Sequence, residues 1–166
     1  MSDDQAFESG ADRVEDSSAA VLLLPRVDDV DTGPAAVVAR FYDALLAEDG
    51  PAALGLLSPD VVWYEMPEGP YARQDGTPYR GAAEIVENVL GPQIRDFEGL
   101  RMVQHELLAY GNTIIALGTA VGQGRKTGAG LEIPFAHVWV VQGDSIGEFR
   151  QYVDPAVFRA AVEQHS

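Results

Sequence analysis

The sequence predicts an α+β domain, with helices in its first part and an antiparallel sheet in its second. Two observations lead to this fold class. Apolar residues recur at helical spacing between residues 34 and 49. From residue 100 onward, segments rich in β-branched and aromatic residues alternate with glycine-containing turns. The predicted order of elements is α-α-β-α-β-β-β-β-α.

Residues 1–33 are predicted to form an acidic tail that is separate from the domain at 34–166. They include nine acidic and two basic residues, and the whole chain has a net charge of −15. This composition favours a solvated and mostly disordered segment. The alternative is a regulatory or partner-binding arm, in which Ala19–Leu24 docks.

The amino-acid composition excludes several classes of function and of binding partner. At 46% hydrophobic residues, the 166-residue chain has enough apolar side chains for a core. The absence of cysteine excludes disulfides, a thiol nucleophile and thiolate metal ligands. The acidic charge disfavours nucleic acid and anionic membrane surfaces as partners. The apolar run Ala19–Pro25 is too short to span a bilayer and follows acidic residues rather than a basic signal-peptide region. We therefore expect a soluble, cytoplasmic protein.

The first helix is predicted to begin at Thr32-Gly33-Pro34, where Thr32 or Gly33 caps it and Pro34 suits its first turn. Its apolar face consists of Val37, Val38, Phe41, Leu45 and Leu46. Gly50 is expected to end it. A short second helix over residues 51–57 then ends at Ser58-Pro59.

A strand is predicted over Asp60–Met66, because this segment is β-branched and aromatic. Residues 67–81 contain three prolines and three glycines and are expected to be a loop at the rim of a pocket. A helix over Ala82–Leu90 is expected to end at Gly91-Pro92.

Four strands and a helix complete the prediction. Strands over 100–110 and 113–122 are joined at Gly111-Asn112, and a polar, glycine-rich turn follows at 122–130. This turn lacks the context and the ending of a phosphate-binding loop. Residues 131–154 are predicted to form a hairpin that turns at 142–145. The last helix covers 155–164.

Three segments resemble the nuclear transport factor 2-like fold and, within it, the SnoaL-like and ketosteroid-isomerase-related groups. They are VVARFYDALLAEDGPAALGLLSPDVVWYEMP, YRGAAEIVENVL and HVWVVQGDSIGEFRQYVDP. The resemblance covers about residues 34 to 164. It implies a curved antiparallel sheet wrapped into a cone, three to four helices that close it, and an apolar pocket inside. It also implies a homodimer that pairs through the outer face of the sheet.

Glu65 is the first catalytic candidate. It ends an apolar strand and shares a face with Trp63, so desolvation would raise its pKa toward that of a general base. The resemblance agrees, since the catalytic carboxylate of the steroid isomerases follows by five residues an acid that aligns with Asp60. The alternative is a carboxylate that faces water next to Pro67.

The oxyanion hole of the steroid isomerases does not carry over. The resemblance aligns its tyrosine with Phe41, one residue before Tyr42, and its protonated aspartate with Ala136. The two donors that would stabilise a dienolate are therefore missing from those positions. A true steroid isomerase is disfavoured, and any enolate needs another donor.

His137 and Asp154 are the other catalytic candidates. The resemblance to SnoaL-like cyclases implies a histidine near His137 and an aspartate at the end of the next strand, which Asp154 matches. If Ala136 faces the pocket, His137 faces away from it, whereas a bulge near Pro134 would reverse this. Both orientations stay open. Asp154 also precedes Pro155, so it is expected to cap the last helix.

The remaining candidates would bind substrate. They are Trp63, Phe41, Tyr42, His105, Trp139, Phe149 and Gln151. The three histidines lack ligand spacing, so no metal is expected. No nucleophile elbow and no dinucleotide fingerprint occur, so no cofactor is expected either.

The function expected from these observations is that of a cofactor-independent acid–base enzyme. It would be an isomerase or cyclase acting on a hydrophobic, polyketide- or steroid-like molecule. Three alternatives stay open: an epoxide hydrolase, a non-catalytic protein that binds a hydrophobic ligand, and a dimerisation or interaction domain.

Overall fold

The computed structural model describes residues 31–163. Nearly all of the predicted acidic tail, and the end of the last predicted helix at Gln164, lie outside the described residues. The helices are α1 (Gly33–Leu46), α2 (Gly50–Gly55), α3 (Gly81–Ile85), α4 (Gly91–Asp96) and α5 (Pro155–Val162), with a π-helical segment at Val86–Leu90. The strands are β1 (Leu57–Tyr64), β2 (Tyr79–Arg80), β3 (Phe97–Tyr110), β4 (Thr113–Gly124), β5 (Gly130–Gln142) and β6 (Ser145–Tyr152).

The strands form one six-stranded sheet in the order β2-β1-β6-β5-β4-β3. Neighbouring strands are antiparallel except β1 and β6, which are parallel. Register shifts interrupt the β3–β4 and β5–β6 pairs, and such bulges bend a sheet. The predicted α+β class with a curved sheet is confirmed. The parallel pair is a departure from the expected all-antiparallel sheet.

Helix α1 covers the concave face of this sheet. Pro34 lies in its first turn, and its buried side includes Val37, Val38, Phe41 and Tyr42. The helix ends at Leu46, before the expected stop at Gly50, because the chain turns at Glu48 with φ of 55°. The next residue, Asp49, then caps α2 by accepting a hydrogen bond from the backbone N–H of Ala52.

The prediction that Gly91-Pro92 ends a helix is wrong. The chain stays helical from Gly81 to Asp96, through the π-helical segment. The N–H of Gly91 donates to the carbonyl of Val86, five residues earlier, and a Cβ on Gly91 would lie 2.7 Å from that oxygen. Glycine therefore permits the widened turn. Pro92 has no N–H to donate and is accommodated in the first turn of α4.

The predicted loop at 67–81 contains one short strand that the sequence did not indicate. Strand β2 pairs with β1 through Val62 opposite Arg80 and Trp63 opposite Tyr79. A hydrogen bond closes the middle of the loop onto β2, because the Tyr79 hydroxyl donates to the carbonyl of Tyr71 over 2.7 Å. It therefore forms a fixed edge next to β1.

Strand β5 divides its side chains between the two faces of the sheet. Its buried residues alternate regularly and are Leu131, Ile133, Phe135, His137, Trp139 and Val141. The side chains between them, such as Ala136 and Val138, are only partly buried and lie on the outer face. The core therefore lies between the inner face of the sheet and the helices. Within residues 31–163, no helix is long and apolar enough to cross a membrane.

Candidate functional site

A cavity lies between α1, α4 and the inner face of the sheet. Its volume is about 40 Å³, and it opens to solvent at its mouth. Its lining residues are Phe41, Tyr42, Leu45, Trp63, Glu65, Leu90, Gln93, Met102, His137, Trp139, Phe149 and Gln151. A mostly apolar wall with a few polar groups is typical of a small-molecule site.

Glu65 is the one carboxylate of the described chain that lines this cavity. It directly follows β1, where strand alternation places it on the same face as Trp63. The Trp63 indole Nε1–H donates to Glu65 Oε1 over 2.6 Å. Burial raises the pKa of the Glu65 carboxyl to about 7, and the Trp63 hydrogen bond counteracts part of this rise. Both the acid and its conjugate base are thus populated near neutral pH.

His137 lies deep in the cavity wall, with 3% of its surface exposed. Its Nδ1 is 2.6 Å from the Tyr42 hydroxyl, and the indole Nε1–H of Trp139 donates to the same hydroxyl over 3.1 Å. Burial lowers the pKa of His137 to about 3, so the imidazole is neutral at physiological pH. The other nitrogen, Nε2, is buried and has no hydrogen-bond partner in the described chain.

Aromatic rings hold these polar groups in place. The rings of Trp63 and Phe149 are 3.8 Å apart between centroids, and Phe149 meets the ring of His137 edge-on at 4.9 Å. Phe135 stacks on the imidazole of His137 at 4.0 Å. Rings packed on several sides fix the rotamer of the histidine and exclude water from it.

Two amide side chains add further polar groups to the wall. Gln93 of α4 and Gln151 of β6 are buried, and both line the cavity. Gln151 lies opposite His137 in the β5–β6 pair. Neither amide forms a side-chain hydrogen bond with another described residue. They therefore have free donors and acceptors for a ligand or for water.

The structure brings eight of the predicted site residues to the cavity. They are Glu65, His137, Trp63, Phe41, Tyr42, Trp139, Phe149 and Gln151. His137 points into the cavity wall, because side chains alternate along β5 and Ala136 lies on the outer face. Pro134 lies in regular pairing with Thr119, so no bulge at Pro134 is involved. Ala136, the position that the resemblance aligned with the isomerase aspartate, therefore does not face the cavity.

Two predicted site residues lie outside the cavity. Asp154 is exposed, and its Oδ1 accepts hydrogen bonds from the backbone N–H groups of Ala156 and Val157 at the start of α5. Its position is that of a helix cap. His105 is also exposed and contacts Thr119 Oγ1 through Nε2 over 3.0 Å. It lies beside the bulge of β3, on the side away from the cavity.

Sequence reasoning missed Leu45, Leu90, Gln93 and Met102 as cavity residues. Leu45 was recognised only as part of the apolar face of α1. Gln93 was missed because the helix was expected to end at Gly91-Pro92, two residues too early to bring it into the site. No sequence motif identifies a π-helical turn at this point.

Within residues 31–163, no three His, Cys, Asp or Glu side chains are grouped as metal ligands. The polar side chains of the cavity wall carry one carboxyl, one imidazole, two amides, one tyrosine hydroxyl and two indole N–H groups. This set suits proton transfer and hydrogen bonding to an organic molecule.

Comparison with known proteins places this arrangement in a family. The sequence model of the SnoaL-like domain matches residues 38–149, which is more than half of the chain. A solved NTF2-like protein from Burkholderia thailandensis is 31% identical, with a TM-score of 0.73 over 80% of this chain and 99% of that one. No curated protein matches the sequence significantly.

Two more distant structures share the fold and have been crystallised with small molecules. TerC, co-crystallised with polyporic acid, is 21% identical, with a TM-score of 0.69 over 79% of this chain and 98% of that one. A protein with a ketosteroid isomerase-like fold from Catenulispora acidiphila, in complex with trimethylamine, is 14% identical, with a TM-score of 0.63 over 76% and 91%. On the family match and the Burkholderia relative, the chain belongs to the SnoaL-like family of NTF2-like proteins.

Proposed function

We propose that the protein is a cofactor-independent acid–base enzyme, an isomerase or cyclase, that acts on a hydrophobic polyketide- or steroid-like molecule. The observation that carries this proposal is the Glu65 carboxyl, which has a pKa of about 7 and lines an apolar cavity. A base with this pKa is half ionised at neutral pH, which favours removal of a proton and its later return.

Glu65 would remove a proton from a carbon beside a carbonyl group. Trp63 holds Oε1, while Oε2 accepts no hydrogen bond from the described residues and is free for the substrate. His137 would be the second polar group of the reaction, because it is the imidazole of the cavity wall and its Nε2 has no partner in the described chain. The aromatic rings of Trp63, Trp139 and Phe149 would bind the flat or apolar body of the substrate.

A test starts by identifying the ligand. Mass spectrometry of small molecules that co-purify with the protein should reveal an aromatic or polycyclic ketone. In deuterium oxide, the wild type should then catalyse exchange of the hydrogen beside the carbonyl, as followed by NMR. Glu65→Gln should abolish this exchange, whereas Glu98→Gln, the same change at an exposed strand position, should leave it intact.

A protein that binds a hydrophobic ligand without turnover is the second candidate. It is favoured by Phe41, which offers no hydroxyl at the position aligned with the isomerase tyrosine. Under this alternative, Glu65→Gln would bind the co-purified molecule with changed affinity, but no exchange would be seen even with the wild type. An epoxide hydrolase ranks lower, because Glu65 is the one described Asp or Glu at the cavity.

We also propose that two copies pair through the outer face of the sheet. The side chains of Ile115, Leu117, Val138 and Val140 on β4 and β5 lie on that face, and in one chain they are only partly buried. Their apolar surface would be covered in a dimer. Sedimentation should show a dimer for the wild type and a monomer for Leu117→Glu, and a monomeric wild type would refute the pairing. The cytoplasmic location stays a prediction from the acidic N-terminal segment.

A further inference from the structure

A buried chain of three polar groups leads into the cavity wall: Trp139, Tyr42 and His137. An indole N–H donates hydrogen bonds and cannot accept them, so the Tyr42 oxygen is the acceptor in its 3.1 Å contact with Trp139. The same hydroxyl makes the 2.6 Å contact with His137 Nδ1. Tyr42 is 2% exposed, so its hydroxyl proton must be satisfied inside the protein.

Two proton arrangements are compatible with these distances. If Nδ1 carries the proton and donates it to Tyr42, the hydroxyl proton of Tyr42 has no acceptor among the described residues, and Nε2 is a buried acceptor without a donor. If Tyr42 donates to Nδ1, only the N–H at Nε2 is left over. The second arrangement leaves fewer buried groups unsatisfied, and each such group destabilises the fold.

We propose that Tyr42, held by Trp139, fixes His137 as the neutral tautomer with its proton on Nε2. We also propose that a ligand entering the cavity displaces the side chains that cover this buried N–H and places an uncharged acceptor oxygen, such as a ketone or quinone carbonyl, against it. The ligand part rests on the proposed function, which makes the cavity a binding site. Tyr42 is thus a positioning residue, which acts through His137 on the ligand.

The surroundings specify an uncharged acceptor. No lysine or arginine lines the cavity among the described residues, so an anionic ligand group would lack a countercharge there. A carbonyl oxygen needs only a neutral donor, which Nε2–H supplies. Burial holds the pKa of His137 at about 3, and the imidazole therefore does not become charged at neutral pH.

Nitrogen NMR of ¹⁵N-histidine-labelled protein tests the tautomer without substrate or turnover. The chain has three histidines, so the double variant His105→Gln, His165→Gln keeps His137 as the one labelled residue. We expect a protonated Nε2 and an unprotonated Nδ1, unchanged between pH 5 and 8. A proton on Nδ1, or a charged ring at pH 7, would overturn the assignment.

Tyr42→Phe in the same background should give a mixture of both tautomers, because Nδ1 loses its donor. Tyr110→Phe, the same change at an exposed tyrosine, should leave the spectrum unchanged. If Tyr42→Phe keeps the wild-type tautomer fully, Tyr42 is not the positioning residue. The measurement on the wild-type side chain stands even if this variant does not fold.

A pair of probes of similar shape tests the ligand class. 2-Acetylnaphthalene has a carbonyl oxygen, and 2-isopropylnaphthalene has none. The ketone should shift the Nε2 nitrogen and its proton and should bind roughly tenfold more tightly than the hydrocarbon. Equal affinity for the two, or binding of neither, would overturn the ligand assignment. A failure of the proposed catalysis would leave the tautomer result untouched, so the two failures are distinguishable.

Discussion

Two carboxylates follow two neighbouring parallel strands, and their surroundings are opposite. Glu65 comes directly after β1, and Asp154 comes two residues after β6, in a pair where Trp63 lies opposite Phe149. Glu65 lines the cavity, accepts one hydrogen bond from an indole and has a raised pKa. Asp154 is exposed, and its Oδ1 accepts bonds from two backbone N–H groups of α5.

The comparison shows that a carboxylate after an aromatic strand is not by itself a catalytic group. What differs is the chain that follows. After Asp154, Pro155 begins a helix whose free N–H groups satisfy a carboxylate in water. After Glu65 the chain continues into the loop that precedes β2, and no backbone N–H of the described residues donates to its carboxyl. Burial therefore raises the pKa of Glu65, and the hydrogen bond from Trp63 offsets only part of this rise.

The largest expected effect separates the two carboxylates in catalysis. Glu65→Gln should lower turnover of the identified substrate by at least about 100-fold, since general-base catalysis contributes on this scale. Asp154→Asn, the matched removal of a carboxylate charge, should leave turnover within about twofold, because asparagine also caps helices. For the wild type, kcat/KM should rise with pH through about 7, as Glu65 ionises. An equal loss in both variants would refute the distinction.

The second expected effect is on the pH dependence of stability. The pKa of Glu65 is raised in the folded state to about 7 from its ordinary value of 4.5, so the folded state binds more protons between these pH values. The stabilisation is complete below pH 4.5 and is lost as the pH rises through 7. Relative to Glu65→Gln, the wild type should thus lose about 3 kcal/mol of unfolding free energy over this range.

Urea denaturation of both proteins at pH 4.5, 6 and 8 measures this difference. Comparing the variants at each pH cancels the opposite contribution of His137, whose lowered pKa makes stability fall as the pH falls from 6.5 through 3. Parallel pH profiles for wild type and Glu65→Gln would mean that the carboxyl is well solvated.

The smallest expected effect concerns the cap. Asp154→Ala should lower the unfolding free energy by about 1 kcal/mol, because two N–H groups of α5 lose their acceptor. The affinity for the co-purified ligand should not change. Asp154→Asn should recover most of the stability in thermal or urea denaturation. A loss of ligand affinity in Asp154→Ala would instead return Asp154 to the site.

Local pattern was sufficient for part of the site. Glu65 and Trp63 are two residues apart on one strand, so their shared face follows from the alternation of side chains alone. The capping role of Asp154 follows from the proline after it. These positions could be predicted because the atoms that decide them are within a few residues in the sequence.

His137 could not be oriented from the sequence. Its facing depends on the register of β5 between β4 and β6, where Ala116 and Gln151 are its partners. An offset of one residue moves every side chain of the strand to the other face. The resemblance placed Ala136 on the inner face, whereas the structure places the next residue, His137, there. Gln93 was not predicted either, because the helix continues beyond Gly91 and Pro92 through a π-helical turn that the sequence does not indicate.

The sequence by itself determined the fold class, the family and the carboxylate that follows β1, because periodic patterns and short-range chemistry specify them. Only the tertiary structure decided that the Tyr42 hydroxyl meets the imidazole of His137, 95 residues away, and that Nε2 has no partner in the described chain. Contacts between distant residues depend on how helix α1 packs across the curved sheet. Which group donates in the hydrogen bond between Tyr42 and His137 is therefore decided by the tertiary packing of the domain.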